Sequence, residues 1–412
     1  MSMLIVQKYG GTSVASTQRI MNAARRITEV YRAGKKIIVV VSAQGSMTDG
    51  LLEKAREVNP QANKRELDML LCTGEQQSAA LMAMAIQKLG YPAVSLNAVQ
   101  VGIEATSLYG NAQIKNVQTK RIQSELECGN IVIVAGFQGV NRFEDLTTLG
   151  RGASDTTAVA LAAVFKAEVC EICTDVDGVY TADPRIVPTA KKLKEIGYED
   201  MLELTASGLQ KPHNRAVEMA KRYNVKLLVR SSMTDAPGTW IKEDKSVERM
   251  TVSGLVVDRN VARVSVMGLL DRPGVAFEIF SVLAKAQIPV GVILQSVGGS
   301  STRDISFTVH KQDLREACAV LEASQENIGY DMLTTDENVA KLTVVGAGMA
   351  ENFGVAADIF EALYDCGVNI LMISTTEIKI TVLVDHKHVT KAANAVHDKF
   401  GLLFEELTGG DN

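Results

Sequence analysis

The sequence predicts two architectures in series: an α/β domain on a mostly parallel sheet with helices on both faces, then a small α+β module of the split βαβ type used twice. Two observations carry this. Short apolar runs alternate with helix-period segments as far as Pro237-Gly238 and the charged stretch Lys242–Arg249. Beyond them, Val264–Val309 and Val344–Val382 match each other, at an offset of 80 residues as far as Val290 and Ile370 and with a seven-residue gap after that. A chain of 412 residues has room for about two to four domains.

Strands are expected over Leu4–Lys8, Lys36–Ser42, Ala93–Leu96, Ile131–Gly136, Val169–Thr174 and Lys226–Arg230, all short and apolar. The segment from Ser16 to Arg32 reads as a helix, with Ser16 as N-cap and Ile20, Ala24, Ile27 and Tyr31 on one face. A second helix is expected from Glu75 to Leu89, ending at Gly90, and a third from Ser154 or Asp155 to Lys166. In the duplicated part, Gly268 pairs with Gly348, Gly274-Val275-Ala276 with Gly354-Val355-Ala356, and Ile279-Phe280 with Ile359-Phe360. Gly298–Asp304 has no counterpart in the second copy. Leu402–Leu407 is expected to return as a strand completing the first copy.

Composition removes several function classes. With 46% hydrophobic and 22% charged residues the chain is globular, not disordered or collagenous. A net charge of −5 argues against nucleic-acid binding. Apolar runs such as Ile37–Val41 are far too short to span a membrane, and Met3-Leu4-Ile5-Val6 follows no basic leader. The six scattered cysteines fit a reducing, cytoplasmic location. Cys170 and Cys173 form a C-x-x-C, but residues three apart on a strand point to opposite faces, so no metal site is expected.

Three strings carry chemistry. Lys8-Tyr9-Gly10-Gly11-Thr12-Ser13 lies between the first strand and the first helix. Its glycines allow close backbone approach to an anion, the helix start offers free N–H groups, and Lys8 adds a point charge. It is neither a dinucleotide-binding nor a P-loop pattern. In Thr148-Leu149-Gly150-Arg151-Gly152-Ala153-Ser154-Asp155, glycines flank an arginine suited to a carboxylate or phosphate, and Ser154 and Asp155 are expected to cap the next helix. Thr174-Asp175-Val176-Asp177-Gly178-Val179-Tyr180 and Asp183-Pro184-Arg185 follow a strand end, where open parallel sheets bind ligands. Ser42 to Asp49 follows the second strand, and Gly74-Glu75 is read as opening a helix.

Together these strings resemble the amino acid kinase family, and within it the aspartate kinases. The similarity rests on KYGGTSV, SAQGSMTD, CTGE, VAGFQGV, TTLGRGASDTTA, TDVDGVYTADPR and VRSS, in this order. In the tail, DRPGVAFEIF, STTEIKI and the duplication resemble paired ACT domains. The resemblance implies a three-layer αβα kinase domain over residues 1–245, followed by two ferredoxin-like (βαββαβ) ACT domains over 260–335 and 340–412. It implies ATP- and Mg²⁺-dependent phosphorylation of the L-aspartate side chain, the first step towards lysine, threonine and methionine.

By matching position, Lys8, Arg151 and Asp175 would be catalytic, with Lys8 on the transferring phosphoryl group. Ser42, Thr48, Glu75, Arg151 and Ser154 would hold aspartate. Gly10, Gly11 and Ser13 would cradle phosphate, and Thr174, Asp175, Tyr180 and Arg185 would line the nucleotide site. Asp271, Gln295, Asn369 and Ile370 would be regulatory, with lysine and/or threonine as effectors. The chain would form homo-oligomers through its ACT domains, and a separate C-terminal regulatory chain starting near Met250 is a further option.

The sequence departs from the family at Gln210, where a lysine is usual, while Lys211 stands one place later. Either Lys211 takes over after a local backbone change at Pro212, or ATP is bound with one fewer positive charge. Asn352-Phe353-Gly354 replaces a usual His-Pro-Gly in the second ACT copy. The rival readings are another amino acid kinase and an amino-acid sensor that keeps the fold but turns over weakly or not at all.

Overall fold

The computed structural model describes residues 3–150, 152–244, 251–297, 302–349, 352 and 354–401. Two compact units emerge: Met1–Val179 with Lys192–Lys245, and Tyr180–Lys191 with Ser246–Asn412.

The first unit is built on an eight-stranded sheet. From edge to edge its strands are Glu195–Gly197, Thr239–Lys242, Leu227–Ser231, Val169–Thr174, Leu4–Tyr9, Lys36–Val41, Ile131–Ala135 and Ala93–Leu96. The six strands expected from sequence are all present, each within a residue of its expected ends, and they pair in parallel. Thr239–Lys242 pairs antiparallel with Leu227–Ser231 and parallel with Glu195–Gly197, so these two edge strands run against the other six. Ile37 to Val41 and Ile131 to Ala135 are fully buried, because helices cover both faces of the sheet.

Helices Thr17–Arg32 and Lys64–Lys88 pack on one face, through Ile20, Ala24, Ile27, Met82 and Ile86. Ser16 caps the first of them by accepting from the Arg19 amide. Helix Ala153–Val164 contacts the central strands and is buried from Ala153 to Ala162, which its nearly unbroken small and apolar sequence permits. Leu4–Tyr9 lies between Lys36–Val41 and Val169–Thr174, so strand order reverses about it. The C-terminal ends of these three strands therefore border the crevice where ligands bind in such sheets.

Two helix starts differ from expectation. Gly74-Glu75 opens no helix; it lies in the middle of Lys64–Lys88, which Asn63 caps. The mid-helix glycine has a packing cause: a Cβ there would sit 2.9 Å from the Ala43 Cβ. Ser154 and Asp155 are not caps either. Gly152, at φ +69°, occupies the N-cap position of Ala153–Val164, freeing both side chains for other contacts.

The second unit holds two antiparallel four-stranded sheets. One runs Ile293–Val297, Thr302–His310, Val261–Leu270, Met332–Asp336; the other runs Gly254–Asp258, Val339–Val345, Lys379–Asp385, Ile370–Thr376. Helices Val275–Lys285 and Val355–Asp365 stand at the 80-residue offset, each preceded by a glycine of positive φ, Gly274 and Gly354. The fourth strand of the first copy is Met332–Asp336, where Leu402–Leu407 was expected; that tail lies outside the described residues. The second copy takes its fourth strand, Gly254–Asp258, from ahead of the first copy.

Residues 180–191 also join this unit. Thr181 accepts the Leu255 amide at 2.7 Å, and Ala182 and Val187 share a core with Leu255, Val344 and Ile359. Among the described residues, no helix is long and apolar enough to cross a membrane.

Leu255 is 4% exposed and belongs to the core of the second copy. Leu255→Ala is expected to destabilise this unit by about 2–5 kcal/mol. Calorimetry should show its transition lowered by several degrees.

Candidate active site

The site is assembled at the strand ends of the first unit. Lys8, one residue from the end of the central strand, is 8% exposed. Its Nζ lies 2.7 Å from Asp155 Oδ1, which has no hydrogen-bond partner beyond that ion pair among the described residues. The other oxygen of Asp155 accepts the His213 amide at 3.1 Å. Burial lowers the pKa of His213, so its ring is neutral at pH 7. The ring packs over Gly152 so closely that a Cβ there would fall 2.3 Å from His213 Cδ2.

The glycines of the first turn have steric duties. A Cβ on Gly11 would stand 2.7 Å from the Ala43 carbonyl, and one on Gly10 would press on Lys8 Nζ at 3.4 Å. The Gly10 amide donates to the Cys173 carbonyl. Ser13 is buried, and its hydroxyl accepts from Ser232 at 2.7 Å.

A cavity of 570 Å³ opens beside Lys8. Ser42, Thr48, Glu75 and Ser154 line it, together with Gly11 and Gly152. Ser154 seats against Gly136, where any Cβ would approach its hydroxyl to 2.7 Å. Glu75 is 4% exposed. Its Oε1 accepts the Ala43 amide at 3.0 Å, and its Oε2 is buried with no partner. Burial pushes its carboxyl up to about 7, against the opposing pull of the Ala43 amide. A buried carboxylate oxygen aimed into a cavity without a donor calls for a cation from a ligand.

Asp175 follows the neighbouring strand end. Its Oδ1 receives the Lys211 ammonium at 2.7 Å and the Thr174 hydroxyl at 2.9 Å. Burial would raise its pKa, but these two donors outweigh it and hold the carboxyl below its usual range. The loop beyond is stapled to the sheet: Asp177 pairs with Lys192, and the Val179 amide donates to Thr239 Oγ1. Tyr180 and Arg185 belong to the second unit, where the Arg185 guanidinium makes a two-point contact with Asp183. Asp271 pairs with Arg303 there at 2.7 Å, Gln295 lies in strand Ile293–Val297, and Asn369 immediately precedes strand Ile370–Thr376. Arg151 lies outside the described residues.

The structure thus brings together Lys8, Gly11, Ser42, Thr48, Glu75 and Ser154. Sequence reasoning missed Asp155 as a site residue because an acid at a helix start reads as a cap; its place in the same string as Ser154 was the available signal. Cys170 and Cys173 are buried free thiols whose pKa values burial raises, so neither is a ready nucleophile.

No three His, Cys, Asp or Glu side chains converge on a metal position among the described residues. The nearby acids Asp155 and Asp175 are each engaged by a lysine.

The Lys8–Asp155 pair predicts a stability signature. Lys8→Met strands a buried carboxylate and is expected to cost about 3 kcal/mol. Adding Asp155→Asn should return part of that loss, read as a recovered urea midpoint in the double variant.

A model of the amino acid kinase family matches residues 3–231, and an ACT domain model matches 264–325 and 342–400. The aspartokinase of Geobacillus stearothermophilus is 48% identical over 98% of each chain. That of Corynebacterium glutamicum is 48% identical over 97% of this chain and 96% of its own. Escherichia coli aspartokinase III, solved with aspartate and ADP, shares the fold at a TM-score of 0.80, with 22% identity over 96% of this chain and 99% of its own. With an amino acid kinase model over most of the first unit, ACT models over both antiparallel modules and relatives nearly half identical over the whole chain, the chain belongs to the amino acid kinase family, as an aspartokinase with two ACT domains.

Proposed function

We propose that this chain transfers the γ-phosphoryl group of ATP to the side-chain carboxylate of L-aspartate, yielding 4-phospho-L-aspartate and ADP. The observation that carries this is Glu75 Oε2, a buried carboxylate oxygen without a partner in the cavity that Lys8 borders. It receives the substrate ammonium. Arg151, by its place in the GRGAS string, receives the α-carboxylate, and Ser42, Thr48 and Ser154 supply polar lining. These contacts direct the side-chain carboxylate towards the nucleotide.

The nucleophile needs no general base. An aspartate side chain has an ordinary pKa of about 3.9 and is ionised at neutral pH. One of its oxygens bonds to the γ-phosphorus while the bond to the bridging oxygen of ADP breaks. The demand on the protein is charge neutralisation and in-line placement. Lys8 supplies positive charge at the phosphoryl group, with Asp155 fixing its position. Gly10, Gly11 and Ser13 shape the phosphate turn, and Thr174 and Asp175 serve the nucleotide. Lys211 stands in for the family lysine that Gln210 replaces; its Nζ already lies at the strand end, on Asp175. That cation removes the main support for a sensor without turnover. Mg²⁺ arriving with ATP neutralises the β- and γ-phosphate charge.

Regulation belongs to the same reading. Lysine and/or threonine act through the ACT modules, at Asp271, Gln295, Asn369 and Ile370, and these modules join copies of the chain. If neither amino acid, alone or combined, shifts activity or melting temperature, that part is wrong.

Hydroxylamine trapping with Mg·ATP should give hydroxamate from aspartate and none from glutamate. Lys8→Met, assayed where circular dichroism shows it folded, should lose about 100-fold or more in rate. Absence of hydroxamate from aspartate would sink the proposal. Because ammonium binding needs ionised Glu75, whose carboxyl titrates near 7, kcat/KM for aspartate should fall about tenfold per pH unit below that point. Glu75→Gln should lower kcat/KM at pH 8 and flatten the profile.

A further inference from the structure

Strand Leu227–Ser231 lies beside Val169–Thr174, with Ser231 level with Thr174, and the chain leaves it through Ser232. Ser232 makes two short bonds in two directions. Its amide donates to the Thr174 carbonyl at 2.7 Å, and its hydroxyl donates to Ser13 Oγ at 2.7 Å. Thr174 ends the strand that leads into Asp175. Ser13 closes the glycine turn, since its amide donates to the Gly10 carbonyl at 2.9 Å. One serine thus joins the turn after the central strand to the end of the neighbouring strand.

The contact is closed on its other side. The Ser13 hydroxyl donates a long bond, 3.4 Å, to the Cys173 carbonyl, which also accepts the Gly10 amide at 3.2 Å. Ser13 and Ser232 are 1% and 4% exposed. Each hydroxyl proton is engaged inside the protein, so both side chains act on the shape of the turn and neither is a phosphate ligand. Ser232 is itself held in place. The Ser231 hydroxyl accepts the amides of Met233 at 3.0 Å and Thr234 at 3.2 Å, which bends the chain just beyond it. The Arg26 guanidinium then donates to the Thr234 carbonyl at 3.0 Å.

We propose that Ser232 is a positioning residue for the phosphoryl-transfer reaction: acting through Ser13, it holds the Gly10–Ser13 turn against the strand end at Thr174, and so sets the turn's shape before the nucleotide arrives. The proposal rests on the reading that this turn takes the nucleotide phosphates and that Thr174 and Asp175 serve the nucleotide. A turn fixed in advance spares ATP the cost of ordering it. Aspartate, gripped at Glu75 on another element, gains nothing from this contact.

Steady-state kinetics on the full chain, with folding checked by circular dichroism, tests this. Ser232→Ala removes the donor and should raise the ATP KM about fivefold, while the aspartate KM stays within about twofold. Ser13→Ala breaks the same contact from its other end and should raise the ATP KM by a similar factor. The double variant should match the larger single effect within about twofold, since one contact cannot be lost twice. If Ser232→Ala does not fold, Ser232→Cys, whose thiol is only a weak donor, takes its place in the same comparison. An unchanged ATP KM in the Ser232 variant, equal rises in both KM values, or a double-variant effect equal to the product of the singles would overturn the proposal. Gly11→Ala separates the failures, because its Cβ would stand 2.7 Å from the Ala43 carbonyl and displace the turn. An unchanged ATP KM in that variant would remove the phosphate-turn reading and this proposal together, whereas a raised one beside an inert Ser232→Ala would remove this proposal alone.

Discussion

The ion pair between Lys8 and Asp155 is the constraint around which the first unit is arranged. Both groups are nearly excluded from water, so neither is tolerable alone. Lys8 comes from the central strand and Asp155 from the first turn of the buried helix Ala153–Val164. Their contact therefore locks that helix start over the sheet end. The left-handed Gly152 that begins the helix, the His213 ring packed on it and the His213 amide on Asp155 follow from the same demand. The pair holds the Lys8 ammonium in place beside the cavity.

Acidic side chains around this pair do different work because their neighbours differ. Asp155 is neutralised by a lysine, Asp68 is saturated by amides and a hydroxyl, and Asp175 holds Lys211 at a more open strand end. Among these four acids, Glu75 combines burial with an oxygen that has neither a hydrogen bond nor an ion pair among the described residues. Residue type does not distinguish these four acids; hydrogen-bond satisfaction does.

Chain order and spatial order part company between the two units. The polypeptide leaves the first unit at Val179, contributes residues 180–191 to the core of the second unit, and returns at Lys192. Ala182 and Val187 are buried there, and the Thr181 hydroxyl lies 2.9 Å from the buried His397 ring. The Gly254–Asp258 strand makes a similar exchange between the two ACT copies. The second copy is thus completed by a strand from ahead of the first, whereas the first is built from one continuous stretch, Val261 to Asp336.

Local sequence determined the type and order of the elements. Apolar runs of five or six residues define the central strands because a sheet covered on both faces needs no polar side, and the 80-residue offset exposed the duplication because both copies bury the same pattern. The strings around Lys8, Gly150 and Asp175 marked the strand ends that form the site. What local sequence left open depended on partners distant along the chain. Gly74 reads as a helix start until Ala43 is seen pressing on it, and Asp155 reads as a cap until Lys8 arrives from the central strand. Tyr180 and Arg185 read as continuous with Asp175 until residues 180–191 find their apolar core elsewhere. Burial and hydrogen-bond satisfaction are properties of the assembled fold, so only tertiary structure decides which of several similar side chains is left with an unmet bond.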